Sequence, residues 1–546
     1  MDLLGQAADW ARHDPDPVTK AQLEHTLELA RAGSKAAVGE LQEAFAGPLQ
    51  FGTAGLRGRL GPGCARMNEA VVVRATAGLM AWLNQQVEAP KVVVGCDARH
   101  GSAQFAQAVA EVVAAAGGNA VKLPEAGPTP VTAFAVRALN ADAGVMVTAS
   151  HNPAQDNGYK VYLGGRVATG VAQGVQIVPP ADAQIAECIE QAPKADQVAR
   201  KKSPLARADV TEQYLAAICP PPKSRDLTIV LTPMHGVGGR ICEQALRRAG
   251  FTNVQLVSAQ ADPDPDFPTV AFPNPEEDGA LELAFQEAER VRADLVIALD
   301  PDADRCALAV CDQGQWRALS GDETGALLGS HLAAGAQSGT LACSIVSSRL
   351  LGKIAEDAGL GFAQTLTGFK WIARTENLLY GYEEAIGHCP NPQAVRDKDG
   401  IATAVVAALL GAELKAQGKT LVDELDELAR KFGLYQTAPL TFRVKDLNLI
   451  SRTMAKLRAE RPAALAGSQV VRTLDLKDGT EKLPPTDAVI FETAANDRVV
   501  IRPSGTEPKL KCYLEVVLPA GEKVPHEQAK QRLQKLKQDV ASACGL

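Results

Sequence analysis

Residues 295–305 read LVIALDPDADR, an apolar run of five residues that passes directly into a turn with three aspartates. Short and almost continuous apolar runs are typical of parallel strands that are covered on both faces. Ligands of such sheets gather outside the carboxyl ends of the strands. The stretch therefore predicts an α/β fold, and it places Asp300, Asp302 and Asp304 at a sheet edge where chemistry is expected.

The same alternation of apolar runs and amphipathic stretches covers the first four-fifths of the chain. Helical patterns such as 239–249 and 280–293 separate the apolar runs. Strand, helix and strand in succession indicates repeated βαβ units. Besides 295–299, the predicted parallel strands are 91–94, 144–147 and 227–231.

Towards the C-terminus this alternation ends. The runs 488–493, 498–502 and 509–517 follow one another closely and end in a charged helical stretch, so they predict an antiparallel sheet in a smaller α+β module. We therefore predict three successive α/β domains with mixed, mainly parallel sheets, followed by a C-terminal α+β domain. The predicted domains are residues 1–205, 206–321, 322–436 and 437–546.

Composition excludes several classes of protein. The chain has 546 residues, 46% hydrophobic and 22% charged, with a net charge of −8, which favours three or four globular domains over a broad nucleic-acid-binding surface. Its longest apolar stretch, around 401–410, is too short for a bilayer, and the acidic N-terminus lacks the apolar region of a secretory signal. Eleven cysteines without a CxxC pair fit a reducing compartment. We expect a cytoplasmic protein with no membrane or nucleic-acid partner.

The acidic turn DPDADR at 300–305 is the most specific of the candidate site loops. Three carboxylates at alternate positions of a tight turn can converge on one point. Their mutual repulsion is then costly unless a cation lies between them. Hard oxygen ligands that are few in number suit Mg²⁺. A solvated acidic turn is the plain alternative. A calcium loop of the EF-hand type is disfavoured because its Gly and Glu are missing, whereas a hydrolase with an aspartyl nucleophile in a DxD loop is a serious rival.

A second loop, TASHNP at 148–153, follows another predicted strand and presents Ser150 on a turn. An Asn-Pro turn with incidental polar residues would explain the hexapeptide alone. A Ser–His hydrolytic dyad is disfavoured, because Ser150 and His151 are adjacent and no GxSxG motif is present. A cation at the acidic turn could stabilise a phosphoryl group on Ser150, and Lys160 follows as either a surface cation or a proton-handling group.

A third loop, RPSGTEPK at 502–509, combines an arginine, two hydroxyls, a glycine and a lysine. These groups suit a phosphate-binding loop, although a simple turn is possible. A fourth segment, GYEEAIGH at 381–388, carries adjacent acids that could cap a helix or accept hydrogen bonds from sugar hydroxyls. The cationic stretches 367–370 and 396–400 are more often solvated loops than ligand sites.

Taken together, these loops resemble the α-D-phosphohexomutase superfamily, the phosphoglucomutase and phosphomannomutase enzymes. The resemblance rests on five motifs in family order, and it runs almost from end to end. It implies four domains around a central cleft, each of which supplies one loop. The motifs are FGTAGLRG at 51–58, TASHNP at 148–153, DPDADR at 300–305, GYEEAIG at 381–387 and RPSGTEPK at 502–509.

The resemblance also implies a role for each candidate residue. Ser150 would be the phosphoserine and, through its phosphate, would share one Mg²⁺ ion with Asp300, Asp302 and Asp304. Lys160 would be the general acid or base, with His151 or His388 as helpers. The remaining implied contacts are Arg57 and Arg305 beside the reacting phosphate, Glu383 and Glu384 at the sugar, Arg502, Ser504, Gly505 and Thr506 at the phosphate that does not react, and Thr367, Gly368, Lys370, His388 and Lys398 as further substrate contacts.

The implied reaction is the interconversion of glucose 1-phosphate and glucose 6-phosphate through a phosphoserine and a sugar bisphosphate. Glucose 1,6-bisphosphate or a similar compound would be the activator, and the protein would be a monomer or a dimer. Mannose or pentose phosphates, or sugar bisphosphate as the product, are alternatives. Ala385 replaces a hydroxyl-bearing residue of many family members, which leaves sugar choice open. A Mg²⁺ phosphatase with Asp300 as nucleophile and a silent binding protein are further alternatives.

Overall fold

The computed structural model describes residues 2–202, 204–444, 447–504 and 509–545. The chain forms two compact units. The first unit comprises Met1–Ala318 and Gly387–Ala412, and the second comprises Leu319–Ile386 and Glu413–Leu546.

The first unit begins with three helices that the sequence patterns above did not predict. They are α1 (Leu3–His13), α2 (Pro17–Arg31) and α3 (Lys35–Ala44). Each begins after a polar residue whose side chain accepts a hydrogen bond from a backbone amide of the first turn, namely Asp2, Asp16 and Ser34. Their apolar faces enclose a small core that includes Leu23, Leu27 and Leu41.

The first sheet has the strand order β1-β5-β4-β2-β3-β7, and β6 pairs with β5. β4, β2, β3 and β7 run parallel, whereas β1 and β5 pair antiparallel at the other edge. The bounds are β1 (Leu56–Arg59), α4 (Glu69–Gln86), β2 (Lys91–Cys96), α5 (Ser102–Ala115), β3 (Asn119–Lys122), α6 (Thr129–Ala138), β4 (Ala143–Val147), β5 (Asp156–Leu163), β6 (Val175–Gln176), α7 (Ala181–Glu190) and β7 (Ala206–Arg207).

The second sheet, also in the first unit, has the order β12-β11-β10-β8-β9. β10, β8 and β9 are parallel, and β11 and β12 complete the sheet antiparallel. The bounds are α8 (Thr211–Ile218), β8 (Arg225–Thr232), α9 (Gly239–Arg248), β9 (Phe251–Leu256), α10 (Glu282–Val291), β10 (Leu295–Leu299), β11 (Cys306–Asp312) and β12 (Gln315–Ala318).

The second unit opens with three parallel strands in the order β14-β13-β15. β16 lies in the segment that belongs to the first unit, and α14 begins there. The bounds are α11 (Gly321–Ala334), β13 (Thr340–Ser344), α12 (Leu350–Asp357), β14 (Gly361–Thr365), α13 (Phe369–Ile372), β15 (Leu378–Glu383), β16 (Gly387–Cys389), α14 (Gly400–Ala416) and α15 (Leu421–Phe432).

The C-terminal sheet is antiparallel throughout, in the order β17-β22-β21-β20-β19-β18. Phe491, Leu514 and Leu536 contribute to its core. The predicted fold class, three mixed α/β sheets and a C-terminal module rich in β strands, is confirmed. The bounds are β17 (Leu434–Arg443), α16 (Leu447–Ala459), β18 (Ala464–Leu465), β19 (Ser468–Asp475), β20 (Val489–Thr493), β21 (Arg498–Pro503), β22 (Lys509–Leu518) and α17 (His526–Cys544).

The α/β part of the second unit and the C-terminal sheet share an apolar core. Ile345 and Val346, which follow β13, belong to one cluster with Ile490 of β20 and Val500 of β21, and all four are buried. Burial of such side chains stabilises the contact by roughly 1.5–3 kcal/mol each. The C-terminal module is therefore docked onto the part of the unit that carries the predicted sugar loop.

Over the described residues, no single helix has the length and apolar character needed to cross a bilayer. Within the described part of the chain, α14 and α15 taken together, with an 86° bend between them, meet that criterion of length and composition.

Candidate active site

Ser150 lies on the turn that follows β4, in an unusual backbone conformation. Its φ angle is +51°, and the residue is 2% exposed. A left-handed conformation costs a residue with a side chain about 1–2 kcal/mol, and such strain persists only where the surroundings enforce it. One enforcing contact is the Ser150 backbone amide, which donates to Thr148 Oγ1 at 2.9 Å. The turn therefore holds the serine in one orientation.

The Ser150 side chain faces the acidic turn that follows β10. Its hydroxyl donates to Asp300 Oδ2 at 2.7 Å. The other oxygen of Asp300 accepts from the backbone amide of Arg305 at 3.0 Å. His151 Nδ1 lies 3.2 Å from Ser150 Oγ, and it donates to that oxygen when the hydroxyl proton points to Asp300. Two loops that are 150 residues apart in the chain thus meet at one oxygen atom.

Asp300, Asp302 and Asp304 form a cluster that fits a metal ion. Each offers one carboxylate oxygen, and these three atoms lie within 4.8 Å of one another. All three residues are buried. Among the described residues, Asp302 Oδ1 and Asp304 Oδ1 are buried oxygens with no hydrogen-bond partner. Because unsatisfied buried carboxylate oxygens are costly, the cluster is suited to a hard cation such as Mg²⁺.

The second oxygens of the cluster are held by protein cations and a hydroxyl. Lys160 Nζ donates to Asp302 Oδ2 and Asp304 Oδ2, both at 2.8 Å. Lys398 Nζ lies 3.3 Å from Asp304 Oδ2, and Thr129 Oγ1 donates to Asp302 Oδ2 at 2.7 Å. In Asp302 and Asp304, one carboxylate oxygen therefore accepts from protein donors, and the other could serve as a metal ligand.

The pKa values of these groups follow from burial and mutual charge. Burial and repulsion from its two acidic neighbours raise the pKa of Asp300 well above its usual range. Burial acts in the same direction on Asp302, but the charge of Lys160 and the hydrogen bonds from Lys160 and Thr129 together outweigh burial and lower the pKa of that carboxyl. The same pairing raises the pKa of Lys160 against the opposing effect of burial. Lys160 is thus held as an ammonium group.

Arg99 clamps the loop that carries Ser150 and was not among the sequence candidates. Its guanidinium donates to four backbone carbonyls of that loop. The residue is 4% exposed, and it is paired with buried Asp97 at 3.5 Å. The accepting carbonyls are those of Ser150 at 2.6 Å, Asn152 at 2.5 Å, Pro153 at 2.7 Å and Asp156 at 3.2 Å.

Two contacts hold Arg99 itself. Asp97 accepts hydrogen bonds from the Arg99 backbone amide and from Ser102 Oγ. The ring of Phe267, on the loop after β9, lies 4.9 Å from the Arg99 guanidinium carbon, a cation–π geometry. The available sequence signal was the polar segment CDARHGS at 96–102, which directly follows a predicted strand.

The remaining candidates of the first unit differ in how far they are exposed to solvent. Arg57, on β1, is exposed and donates to Asn152 Oδ1 at 3.1 Å. Burial lowers the pKa of His151 well below its usual value, and Arg305 and Arg57 act in the same direction. His388, on β16, is fully enclosed, and burial lowers its pKa to about 3. The assignment of His388 as a substrate contact stays a prediction.

In the second unit, Glu383 and Glu384 lie at the end of β15. Glu384 Oε2 accepts hydrogen bonds from Ser344 Oγ at 3.1 Å and from Ser347 Oγ at 3.2 Å. Burial raises the pKa of Glu384 to about 7, and repulsion from Glu383 and Asp322 adds to this effect. Ser344 and Ser347 were not among the sequence candidates, since serines in a loop carry no distinctive signal.

The predicted phosphate loop begins at the end of β21. Arg502 is half-buried and interacts with Tyr513 of β22, whose surroundings also include Glu384. The Ser504 backbone amide donates to Lys509 O at 2.8 Å. Gly505 and Thr506 lie outside the described residues. Of the other candidates, Thr367 and Gly368 lie between β14 and α13, Lys370 lies in the first turn of α13, and all three are half-buried.

Comparison with known families identifies all four parts of the chain. Models described as phosphoglucomutase/phosphomannomutase, alpha/beta/alpha domains I, II and III, match residues 48–196, 212–314 and 320–432. The model of the C-terminal domain matches residues 449–523.

Several curated proteins are similar over most of their length. A probable phosphomannomutase of Haemophilus influenzae is 44% identical over 461 residues, which is 82% of this chain and 93% of the relative. A phosphopentomutase of Homo sapiens is 34% identical and covers 97% of this chain and 94% of its own. A phosphoglucomutase of Staphylococcus aureus is 34% identical and covers 88% and 92%.

Solved structures show the same fold. A putative phosphomannomutase from Thermus thermophilus superposes with a TM-score of 0.71 at 23% identity, and it covers 90% of this chain and 99% of its own. A phosphoglucomutase from Paramecium superposes with a TM-score of 0.70 at 18% identity, over 92% and 97% of the two chains.

Proposed function

Because the chain belongs to the phosphoglucomutase/phosphomannomutase family, whose chemistry is that of phosphotransferring isomerases, we propose that it interconverts glucose 1-phosphate and glucose 6-phosphate. The observation that carries the proposal is the contact between Ser150 Oγ and the acidic turn. An oxygen nucleophile beside a cation-binding cluster suits phosphoryl transfer, in which positioning and charge stabilisation supply most of the rate.

The proposed cycle uses Ser150 as the carrier of the phosphoryl group. In the first step, the bond between phosphorus and Ser150 Oγ breaks while a bond forms to the free hydroxyl of the sugar monophosphate. The hydroxyl proton passes to a base, and Ser150 Oγ gains a proton from the general acid as it leaves. The sugar bisphosphate then reorients, and its other phosphoryl group returns to Ser150. Lys160 remains our proposed proton-transfer group: from its ammonium form it would act as the general acid, with His151 beside the serine oxygen as its helper. Glucose 1,6-bisphosphate would keep Ser150 phosphorylated.

Charge at the reacting group would come from several residues of the first unit. Asp300, Asp302 and Asp304 would hold a Mg²⁺ ion together with the phosphate on Ser150, and the ion would stabilise negative charge on the transferring phosphoryl group. Arg57 reaches the loop that carries Ser150 through Asn152, and we propose that it binds the phosphate there. Lys398 adds positive charge beside Asp304.

The proposed sugar and distal phosphate contacts lie in the second unit. We propose that Glu383 accepts hydrogen bonds from sugar hydroxyls, because adjacent acids at a strand end are suited to this role. Arg502, Ser504, Gly505 and Thr506 would bind the phosphate that does not react, since a guanidinium fork and short hydroxyl donors match phosphate oxygens.

A pentose or mannose phosphate is the second candidate substrate. Relatives named phosphopentomutase match over 97% of this chain, and the relative with 44% identity is named a probable phosphomannomutase. Ala385 lacks the hydroxyl that many family members place two residues after Glu383, so the sugar site has one donor fewer.

A substrate panel tests the proposed function. We expect wild-type protein to convert glucose 1-phosphate faster than mannose 1-phosphate or ribose 1-phosphate, with glucose 1,6-bisphosphate and Mg²⁺ present. Ser150→Ala should lose turnover of all three, whereas Ser338→Ala, at an exposed serine, should keep it. Full turnover by Ser150→Ala would eliminate the mutase proposal. Steady release of inorganic phosphate would favour the phosphatase alternative instead.

A further inference from the structure

The second unit contains a set of hydrogen bonds that connects two regions. One is the end of β15 with the turn after it, at 381–386, which we call the sugar-binding turn, and the other is the segment against which the C-terminal sheet packs. The central part of this connection is the segment SIVSSR at 344–349, which begins at the last residue of β13 and which we call the serine loop. Ser344 and Ser347 are fully buried and lie 2.9 Å apart through their hydroxyl oxygens. Both hydroxyls donate to Glu384 Oε2, at 3.1 Å and 3.2 Å.

Other groups of the serine loop form hydrogen bonds with the C-terminal sheet. Ser348 Oγ and the backbone amide of Arg349 both donate to Glu515 Oε1 of β22, at 2.8 Å each. Arg498 of β21 donates through its guanidinium to the backbone carbonyl of Ser347. Glu515 and Arg498 are 2% and 4% exposed. The serine loop therefore supplies hydrogen-bond partners to buried polar groups of the C-terminal sheet, and these contacts depend on its shape.

The side chain of Glu384 thus accepts hydrogen bonds from the serine loop. Glu383 precedes Glu384 in the chain and is the last residue of β15. We propose that Glu384 is a positioning residue, which ties the sugar-binding turn to the serine loop so that Glu383 and the strand bearing Arg502 are presented to substrate by one framework. This inference rests on the proposed function for its consequence in catalysis. The hydrogen bonds themselves do not depend on it.

The connection distinguishes the two adjacent acids. A residue that binds sugar directly stabilises the complex through its own contact. The free energy lost on its replacement therefore adds to the free energy lost in a second variant elsewhere. A positioning residue acts through its partners, so removing either side of the contact removes the same free energy only once. A glutamine at position 384 keeps an oxygen that can accept from both serine hydroxyls, whereas an alanine keeps none.

A double-mutant cycle tests the kinetic consequence. The variants are Glu384→Ala, the pair Ser344→Ala with Ser347→Ala, and all three together. We expect about a tenfold loss of kcat/KM from Glu384→Ala and from the serine pair, and no further loss in the triple variant. Glu384→Gln should recover most of the activity, and Glu376→Ala, at an exposed acid of the same unit, should change nothing. Losses that multiply in the triple variant would overturn the inference.

Hydrogen exchange tests the connection without reference to activity. We expect Glu384→Ala to accelerate amide exchange in residues 345–349 and 381–386, with Glu384→Gln close to wild type. Unchanged exchange in Glu384→Ala would overturn the inference. This test does not need the serine-pair variant, so it still decides the question if that variant does not fold. A wild-type protein without mutase turnover would defeat the proposed function alone, because the exchange result would still decide whether Glu384 holds the loop.

Discussion

The hydroxyl of Ser150 donates a 2.7 Å hydrogen bond to Asp300 Oδ2, although the two residues stand at the carboxyl ends of strands in different sheets. β4 and β10 are each parallel members of their sheets, so both loops emerge where ligands of α/β proteins bind. Arg99 and the backbone amide of Arg305 fix the two sides of this contact. The contact predicts how the protein responds to metal and to loosening of the loop that carries Ser150.

The acidic cluster predicts stabilisation by Mg²⁺. At a concentration one hundred times the dissociation constant, a ligand that binds only the folded state stabilises it by about 2.7 kcal/mol. We expect Mg²⁺ to raise the melting temperature of wild type and to have little effect on Asp302→Asn, measured by differential scanning calorimetry. Asp278→Asn, at an exposed carboxylate, should keep the full effect. An undiminished Mg²⁺ effect in Asp302→Asn would contradict the metal assignment.

The guanidinium clamp predicts a loss of catalytic rate when Arg99 is replaced by lysine. A single ammonium group cannot donate to four carbonyls in the fixed geometry of the fork. Because small errors in the position of a nucleophile are costly, we expect kcat to fall about tenfold to a hundredfold with excess glucose 1,6-bisphosphate. Amide exchange in residues 149–156 should accelerate.

A matched control for the clamp is Arg290→Lys, at an exposed arginine that pairs with Glu287. It should leave kcat and exchange unchanged. If Arg99→Lys turned over at the wild-type rate, the clamp would have no part in positioning Ser150.

The raised pKa of Glu384 predicts how stability depends on pH. The unfolded chain releases this proton near pH 4.5, whereas the folded protein keeps it until about pH 7, with Glu383 and Asp322 opposing ionisation and Tyr513 facing it as a neutral phenol. The contribution of Glu384 to stability therefore falls as pH rises between these values. Because its pKa is about 7 in the folded protein and about 4.5 in the unfolded chain, Glu384 lowers the free energy of unfolding by up to about 3 kcal/mol at pH 8.

Glu384→Gln removes this titration. We expect urea unfolding to show the variant gaining stability relative to wild type as pH rises from 5 to 8. Glu376→Gln, at an exposed acid, should show no such trend. A constant difference between Glu384→Gln and wild type across this range would contradict the raised pKa.

Much of the fold could be predicted because buried parallel strands leave a plain pattern. The apolar run 295–299 coincides with β10, and the predicted run 91–94 lies within β2. The rule that ligands gather at the carboxyl ends of such strands marked both loops as candidates, and the family resemblance implied that Ser150 and Asp300 share one site. The three N-terminal helices were missed, since short amphipathic helices carry no apolar run and depend on caps such as Asp16 and Ser34.

Residues that act through backbone groups could not be predicted in the same way. Arg99 matters because four carbonyls from a loop about fifty residues later converge on it, and nothing in the local sequence specifies them. Ser344 and Ser347 acquire their role only when β15 brings Glu384 beside them. Such groups are visible only once the strands are paired in space.

The most direct measurement is intact-mass spectrometry with peptide mapping of purified protein incubated with glucose 1,6-bisphosphate. We predict one added phosphate, on Ser150, that is discharged by glucose 1-phosphate and is absent in Ser150→Ala. Turnover of the sugar phosphate without any phosphate on Ser150 would contradict the account.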